Sequence, residues 1–212
     1  MSFVNFCPNC FQTDSFKGYR CYLCGYEEKG EKDKRALAQG TWLHRRYLVG
    51  KVLGIGGFGI TYLVFDCQSR QRFAVKEYFP AEWAMRTVGT NVITSNSQSK
   101  DQLYTHGRNV FVNEAEILRS LQTDQNIVNV KDFFVENGTA YMVMEYLEGH
   151  TFGTYMKGNG GQPVSVDLAN RMMKEIGESL CRIHGHMLLH RDISPDNVML
   201  TKKDEINLID FG

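Results

Sequence analysis

Four cysteines near the start of the chain constrain its fold more tightly than any other feature. Cys7, Cys10, Cys21 and Cys24 read as CxxC, ten intervening residues, CxxC. Each CxxC turn can bring two sulfurs to one side of a metal, and four thiolates suit tetrahedral zinc. The spacing predicts a small zinc ribbon with a closed structural site, because a fourth protein ligand leaves no position for catalytic water. Two other readings of the same residues are a disulfide pair, which a reducing compartment disfavours, and a redox CxxC, which needs only one pair and a βαβ setting. A module this small has little core of its own, so metal binding supplies most of its folding free energy. Zinc ribbons of this size bind nucleic acid or protein. Lys17, Arg20 and Lys29 make no dense basic patch, so nucleic acid is not the expected partner. Cys67 and Cys181 are expected to be buried fillers rather than ligands.

Beyond the cysteines the chain reads as an ordinary folded protein, with 42% hydrophobic and 23% charged residues. Lys plus Arg and Asp plus Glu are both 24, so no net field draws it to nucleic acid or to an anionic membrane. No apolar run approaches the roughly 18 residues that span a bilayer. The start has no basic region followed by an apolar stretch, and a cytoplasmic protein is expected. Composition shifts place a ribbon at 1–30, a charged linker at 31–46 and a larger module at 47–212.

In that module, β-branched and aromatic runs predict strands at 47–53, 60–65 and 72–78. A long polar stretch and a helix around 110–121 follow, then strands at 128–135 and 140–145 joined by an Asn-Gly turn. The expected class is α+β, with a five-stranded antiparallel sheet carrying one helix. Leu168, Met172, Ile176, Leu180, Ile183 and Met187 recur every three to four residues and mark one face of a long helix over 165–187. Short strands at 198–200 and 206–209 close the chain.

Gly54, Gly56 and Gly59 stand in G-x-G-x-x-G spacing between two predicted strands. A dinucleotide fold needs a helix directly after the third glycine, and "ITYLVF" is strand-like, so the pattern reads as a hairpin lid whose amides cover phosphates. Lys76 follows on a strand among Phe73, Ala74 and Val75, with Glu114 and Glu116 on the next helix. Asp192 and Asn197 in "HRDISPDN" and Asp210 in "LIDFG" supply an acid that can orient or deprotonate a hydroxyl and two groups that can bind magnesium.

On these motifs, in this order, the module resembles the eukaryotic-like serine/threonine protein kinases of bacteria, in particular a subgroup some of whose members carry an N-terminal zinc ribbon. The resemblance implies a kinase N-lobe (sheet plus helix C) and a helical C-lobe. It implies that Gly54, Gly56 and Gly59 cover ATP, that Lys76 contacts the α- and β-phosphates and that Glu114, rather than Glu116, is its helix partner. Met144 is then the gatekeeper and 145–147, with Glu145 and Leu147, the hinge that binds adenine through backbone groups. Asp192 is the catalytic base, and Asn197 and Asp210 are magnesium ligands. ATP, magnesium and a protein substrate follow as partners.

The sequence departs from the family in several places. Ser194 stands where a lysine is usual, which removes a positive charge from the transfer site, and Thr61 stands where valine commonly covers adenine. The stretch from Pro80 to Gly107 is expected to be a mobile or partly ordered insertion, with Arg86 an ordinary surface residue. His184, His186 and His190 are not expected to bind metal. The sequence stops at its own Asp-Phe-Gly, whereas a kinase continues for roughly a hundred residues more. An incomplete C-lobe is therefore expected, with weak nucleotide binding, little peptide phosphorylation and an apolar helix face open to a protein partner. The alternative reading is a truncated, kinase-like regulator that works by binding a partner.

Overall fold

The computed structural model describes residues 5–28, 30, 33–121, 126–160 and 162–211, so Lys29 and Gly212 lie outside the described residues. The chain forms two compact units, Met1–Asn113 with Lys131–Tyr146 and Glu114–Val130 with Leu147–Gly212.

In the first unit, β1 (Phe16–Lys17) and β2 (Arg20–Cys21) form a small hairpin. The main sheet is built from β3 (Trp42–Leu43), β4 (Tyr47–Ile55), β5 (Gly59–Asp66) and β6 (Gln71–Tyr78). After β7 (Ala84–Arg86), β8 (Ile93–Ser95) and helix α1 (Asp101–Ser120), β9 (Val130–Glu136) and β10 (Thr139–Glu145) complete it. The strand order is β3-β4-β5-β6-β10-β9, so a short edge strand extends the expected five to six. Asn137 at φ 52° and Gly138 at φ 75° make the tight turn between β9 and β10. Tyr62, Val75, Tyr141 and Val143 are fully buried at the centre, as β-branched and aromatic residues on a core-facing sheet surface should be.

Strand register decides which residues meet. Thr61 pairs with Lys76, Lys76 with Met142 and Ala74 with Met144. By the period-2 alternation of strands these five residues share one face, and Tyr62, Glu77 and Tyr141 share the other.

The stretch after Lys76 carries regular structure. It forms the β7–β8 hairpin, a 3₁₀ turn (Gln98–Lys100) and the first turns of α1, which begins well before residue 110. The early helix was hard to read because Tyr104 is its first buried residue and most of its other side chains are polar. Tyr104 and Phe111 lie 5.5 and 5.7 Å from the Tyr78 ring.

The second unit contains β11 (Gly149–Thr151), α2 (Phe152–Gly158), α3 (Val166–Gly185), β12 (Val198–Thr201) and β13 (Ile206–Leu208), the three strands forming one sheet. Ser165 caps α3 by accepting from the Leu168 amide at 3.2 Å. Along the predicted apolar face Met172 and Ile183 are buried, but Met187 lies past the helix end at φ 59° and is 91% exposed. Cys67 and Cys181 are exposed rather than buried: Cys67 sits in the turn after β5, and Cys181 lies off the α3 face that buries Met172, Ser179 and Ile183. Among the described residues, no helix is long and apolar enough to cross a membrane.

Candidate active site and metal centre

The four predicted ligands converge. The Sγ atoms of Cys7, Cys10, Cys21 and Cys24 lie within 4.8 Å of one another, with Cys7–Cys24 at 3.7 Å and Cys10–Cys21 at 3.8 Å. A tetrahedron with metal–sulfur bonds of about 2.3 Å has edges of about 3.8 Å, so the donor set fits zinc. All six cysteines are free. The Asn9 and Cys24 amides point at Cys7 and Cys21 at 3.4 and 3.5 Å, as suits thiolates. Burial pushes the Cys7 thiol up to about 12. Burial acts the same way on Cys21, but the Cys24 and Leu23 amides and the Ser15 hydroxyl outweigh it and bring that thiol down to about 6. Arg20 is paired with Glu27 at 3.6 Å, which weakens any basic patch on the ribbon. His184 and His186 are exposed, and the cysteines are the one metal-ligating cluster among the described residues.

The first unit carries the glycine-rich turn. Gly54 ends opposite Thr61 and Gly59 opposite Tyr78. The backbone at Gly59 passes so close to β6 that a Cβ would lie 2.7 Å from the Glu77 carbonyl oxygen. The Gly57 and Phe58 carbonyls accept from the Ala81 and Phe79 amides at 3.1 and 2.9 Å, which seats the turn on the chain following β6. Exposed Phe58 meets the Trp83 ring edge-on at 6.3 Å. Lys76 is half-buried and Met144 buried on the shared sheet face, and Glu145 is the exposed last residue of β10.

Sequence reasoning missed what anchors β6. Glu77, fully buried, accepts from Tyr62 Oη and Tyr141 Oη, each at 2.8 Å, and from Arg86 Nη2 at 2.6 Å. Arg86 is therefore no ordinary surface residue: its side chain is 8% exposed, and it also donates to the Arg35 and Asn91 carbonyls, each at 2.7 Å. Burial, with the Glu77 carboxylate beside them, pushes both phenols well above their usual value, so they remain protonated donors. Adjacent in sequence, Lys76 and Glu77 thus lie on opposite sheet faces, one toward the glycine-rich turn and one in a buried polar network. The available signal was Glu77 directly after Lys76, because adjacent residues on a strand point to opposite faces and one of the two charges must face the core side.

In the second unit, Glu114 on α1 is buried, and Asp192 is exposed on the loop between α3 and the 3₁₀ turn Pro195–Asn197. Asn197 Nδ2 donates to the Asp192 carbonyl at 2.9 Å and to its Oδ2 at 2.8 Å. With the amide nitrogen used this way, Asn197 Oδ1 is the end left to meet a cation. The Ile209 amide donates to the Asn197 carbonyl at 3.0 Å, and His190 Nε2 lies 3.0 Å from the Ile209 carbonyl oxygen. Both backbone groups of the residue before Asp210 are thereby tied to the loop that carries Asp192 and Asn197. The Phe211 ring lies tilted against His190 with ring centroids 4.6 Å apart. Arg191 at φ 64° and Asp210 at φ 55° take the left-handed conformation, a local cost that recurs at functional loops. Leu147 begins the second unit's later segment, and Ser194 precedes the 3₁₀ turn.

Comparison with known proteins matches residues 47–212 to the protein kinase domain. Serine/threonine-protein kinase D of Synechocystis is 30% identical over 171 residues, 79% of this chain and 30% of that protein. Serine/threonine-protein kinase PknA of Nostoc is 32% identical, over 80% of this chain and 28% of that protein. The chain thus spans less than a third of the length of these relatives. Among solved structures, PpkA-294 in its apo form has a TM-score of 0.75 at 28% identity, covering 84% of this chain and 62% of that one. The PknI kinase domain of Mycobacterium tuberculosis has a TM-score of 0.65 at 27% identity, covering 83% and 61%.

Proposed function

The chain belongs to the protein kinase family, and from that premise we propose that it transfers the γ-phosphoryl group of MgATP to serine or threonine hydroxyls of proteins. The observation that carries this reading is the loop in which Asn197 holds the Asp192 carboxylate while Ile209, the neighbour of Asp210, is bonded to Asn197 and His190.

In this reading the amides of the Gly54–Gly56–Gly59 turn cover the phosphates, Lys76 takes the α- and β-phosphates, and Glu114 fills the helix-carboxylate role. Met144 stands at the back of the adenine site, with Glu145 and Leu147 bounding the hinge. Asn197 Oδ1 and Asp210 hold magnesium, which neutralises charge on the phosphates. Asp192 accepts a hydrogen bond from the substrate hydroxyl and orients its oxygen toward the γ-phosphorus. As the new O–P bond forms and the β–γ bridging bond breaks, Asp192 receives the hydroxyl proton and ADP leaves. Ser194 can donate one hydrogen bond but supplies no charge. Cys7, Cys10, Cys21 and Cys24 hold a structural zinc.

The test is phosphate transfer by the full-length protein from MgATP to a mixed serine/threonine peptide pool, read by mass spectrometry beside calorimetric nucleotide binding. Asp192→Asn is expected to lower transfer at least about 100-fold while nucleotide still binds. Lys76→Met should weaken binding itself. Transfer at equal rates by wild type and Asp192→Asn would overturn the reading.

A further inference from the structure

The two cysteine turns make the same bend with different residues at its close. The Phe11 amide donates to the Cys7 carbonyl at 2.8 Å, and the Gly25 amide to the Cys21 carbonyl at 3.0 Å. Both closing residues are left-handed, Phe11 at φ 60° and Gly25 at φ 72°. Glycine takes that conformation freely, whereas a bulky residue there costs about 1–2 kcal/mol. Something must offset the cost at Phe11.

Its ring supplies the offset. Phe11 is 7% exposed and forms a core with Leu48 of β4 and Leu63 of β5, with Phe6, Phe65 and Tyr146 packed around it. The Phe11 ring stacks on Phe65 with centroids 5.5 Å apart. Tyr146 is the residue after β10, and the Arg72 guanidinium lies 5.4 Å from its ring centroid.

The same turn also completes β4. Val49 pairs with Val64 and Val52 with Tyr62, so Gly50 and Lys51 fall in a break of the ladder. There the Lys51 amide donates to the Pro8 carbonyl, inside the first cysteine turn, at 2.9 Å. Gly50 has no side chain because a Cβ would meet the Pro8 oxygen and would lie 2.6 Å from Phe11 Cζ. Three residues past Lys51 the strand reaches Gly54.

We propose that Pro8 and Phe11 are positioning residues for the nucleotide site. The first cysteine turn clamps the strand entering the glycine-rich turn and the Tyr146 end of β10, so metal occupancy of the cluster sets nucleotide affinity. The proposal rests on the kinase reading for its nucleotide, but the clamp itself is measurable without one.

The experiment compares wild type, Phe11→Gly and chelator-stripped wild type, all as full-length protein. Readouts are zinc stoichiometry, hydrogen exchange without nucleotide, MgATP affinity, and KM against kcat. Phe11→Gly suits the left-handed turn and keeps every cysteine, so it should retain one zinc per chain. Exchange should accelerate locally, at Lys51 to Gly54 and at Tyr146, in both Phe11→Gly and the stripped protein. MgATP affinity should fall about tenfold, with KM raised and kcat at saturation little changed. Unchanged local exchange in either sample overturns the clamp. So does faster exchange spread evenly over β5, β6 and β10, which marks general destabilisation. Unchanged MgATP affinity with accelerated local exchange overturns the link to the nucleotide. A wild type that binds no MgATP sinks the kinase reading and the nucleotide half of the proposal, and the exchange data then judge the clamp alone.

Discussion

Arg86→Met is the sharpest probe of how the sheet is anchored. It keeps the aliphatic stem but removes the cation facing Glu77, whose side chain is fully buried while that of Arg86 is 8% exposed. Removing one partner of a buried pair costs about 3–5 kcal/mol, because the remaining charge is left in a poor solvent. Tyr62 and Tyr141 still donate to Glu77, which puts the expected loss near the low end, about 3 kcal/mol. For a chain of this size that is a fall in Tm of about 6–12 °C. Both tryptophans, Trp42 and Trp83, lie in the first unit, so tryptophan fluorescence during urea unfolding reads that unit directly. The double variant Arg86→Met with Glu77→Gln should recover at least half of the loss, since the orphaned charge is gone. A loss under about 1 kcal/mol in the single variant, or a double variant as unstable as the sum of its parts, would refute the argument.

Three further outcomes are expected. Arg46 grips Asp66 through two bonds of 2.8 and 2.7 Å, and, against the opposing effect of burial, Ser69 and the Gln68 amide help hold this carboxyl well below the usual carboxylate range. A carboxylate with a depressed folded value stabilises fully above its unfolded pKa near 4, and the contribution disappears as pH falls through the folded value. Asp66→Asn should therefore cost roughly 2 kcal/mol at pH 7 and less at pH 3, and an equal gap at both pH values in urea unfolding would count against the pairing. Gly59→Ala forces the turn away from the Glu77 carbonyl and should raise KM for ATP about tenfold with the protein still folded, as circular dichroism would check; an unchanged KM would separate that turn from nucleotide binding. Under the kinase reading, Ser194→Lys supplies the cation usual at this position and should raise kcat about tenfold, and no gain in steady-state assays would show that charge at this position does not limit the reaction.

Much of the candidate site was readable from local pattern. The CxxC pairs, the Asn137–Gly138 turn and the strand runs each depend on residues only a few positions apart, where chain geometry dictates what the side chains can do. The order of Gly54, Lys76, Asp192, Asn197 and Asp210 was visible for the same reason, whereas the bond from Asn197 to the Asp192 carboxylate appeared only in the folded loop.

Tertiary structure alone decided the contacts between distant segments. Arg86 meets Glu77, Arg35 and Asn91, and nothing in the Arg86 neighbourhood of the sequence distinguishes it from a solvated surface charge. Phe11 faces Leu48 and Leu63, and Pro8 finds Lys51 only because β4 breaks its ladder there. A short motif states which groups the backbone will present. Which buried charge needs a partner, and which strained turn has its cost offset by packing, depends on strand register and burial, and these exist only once the sheet has formed.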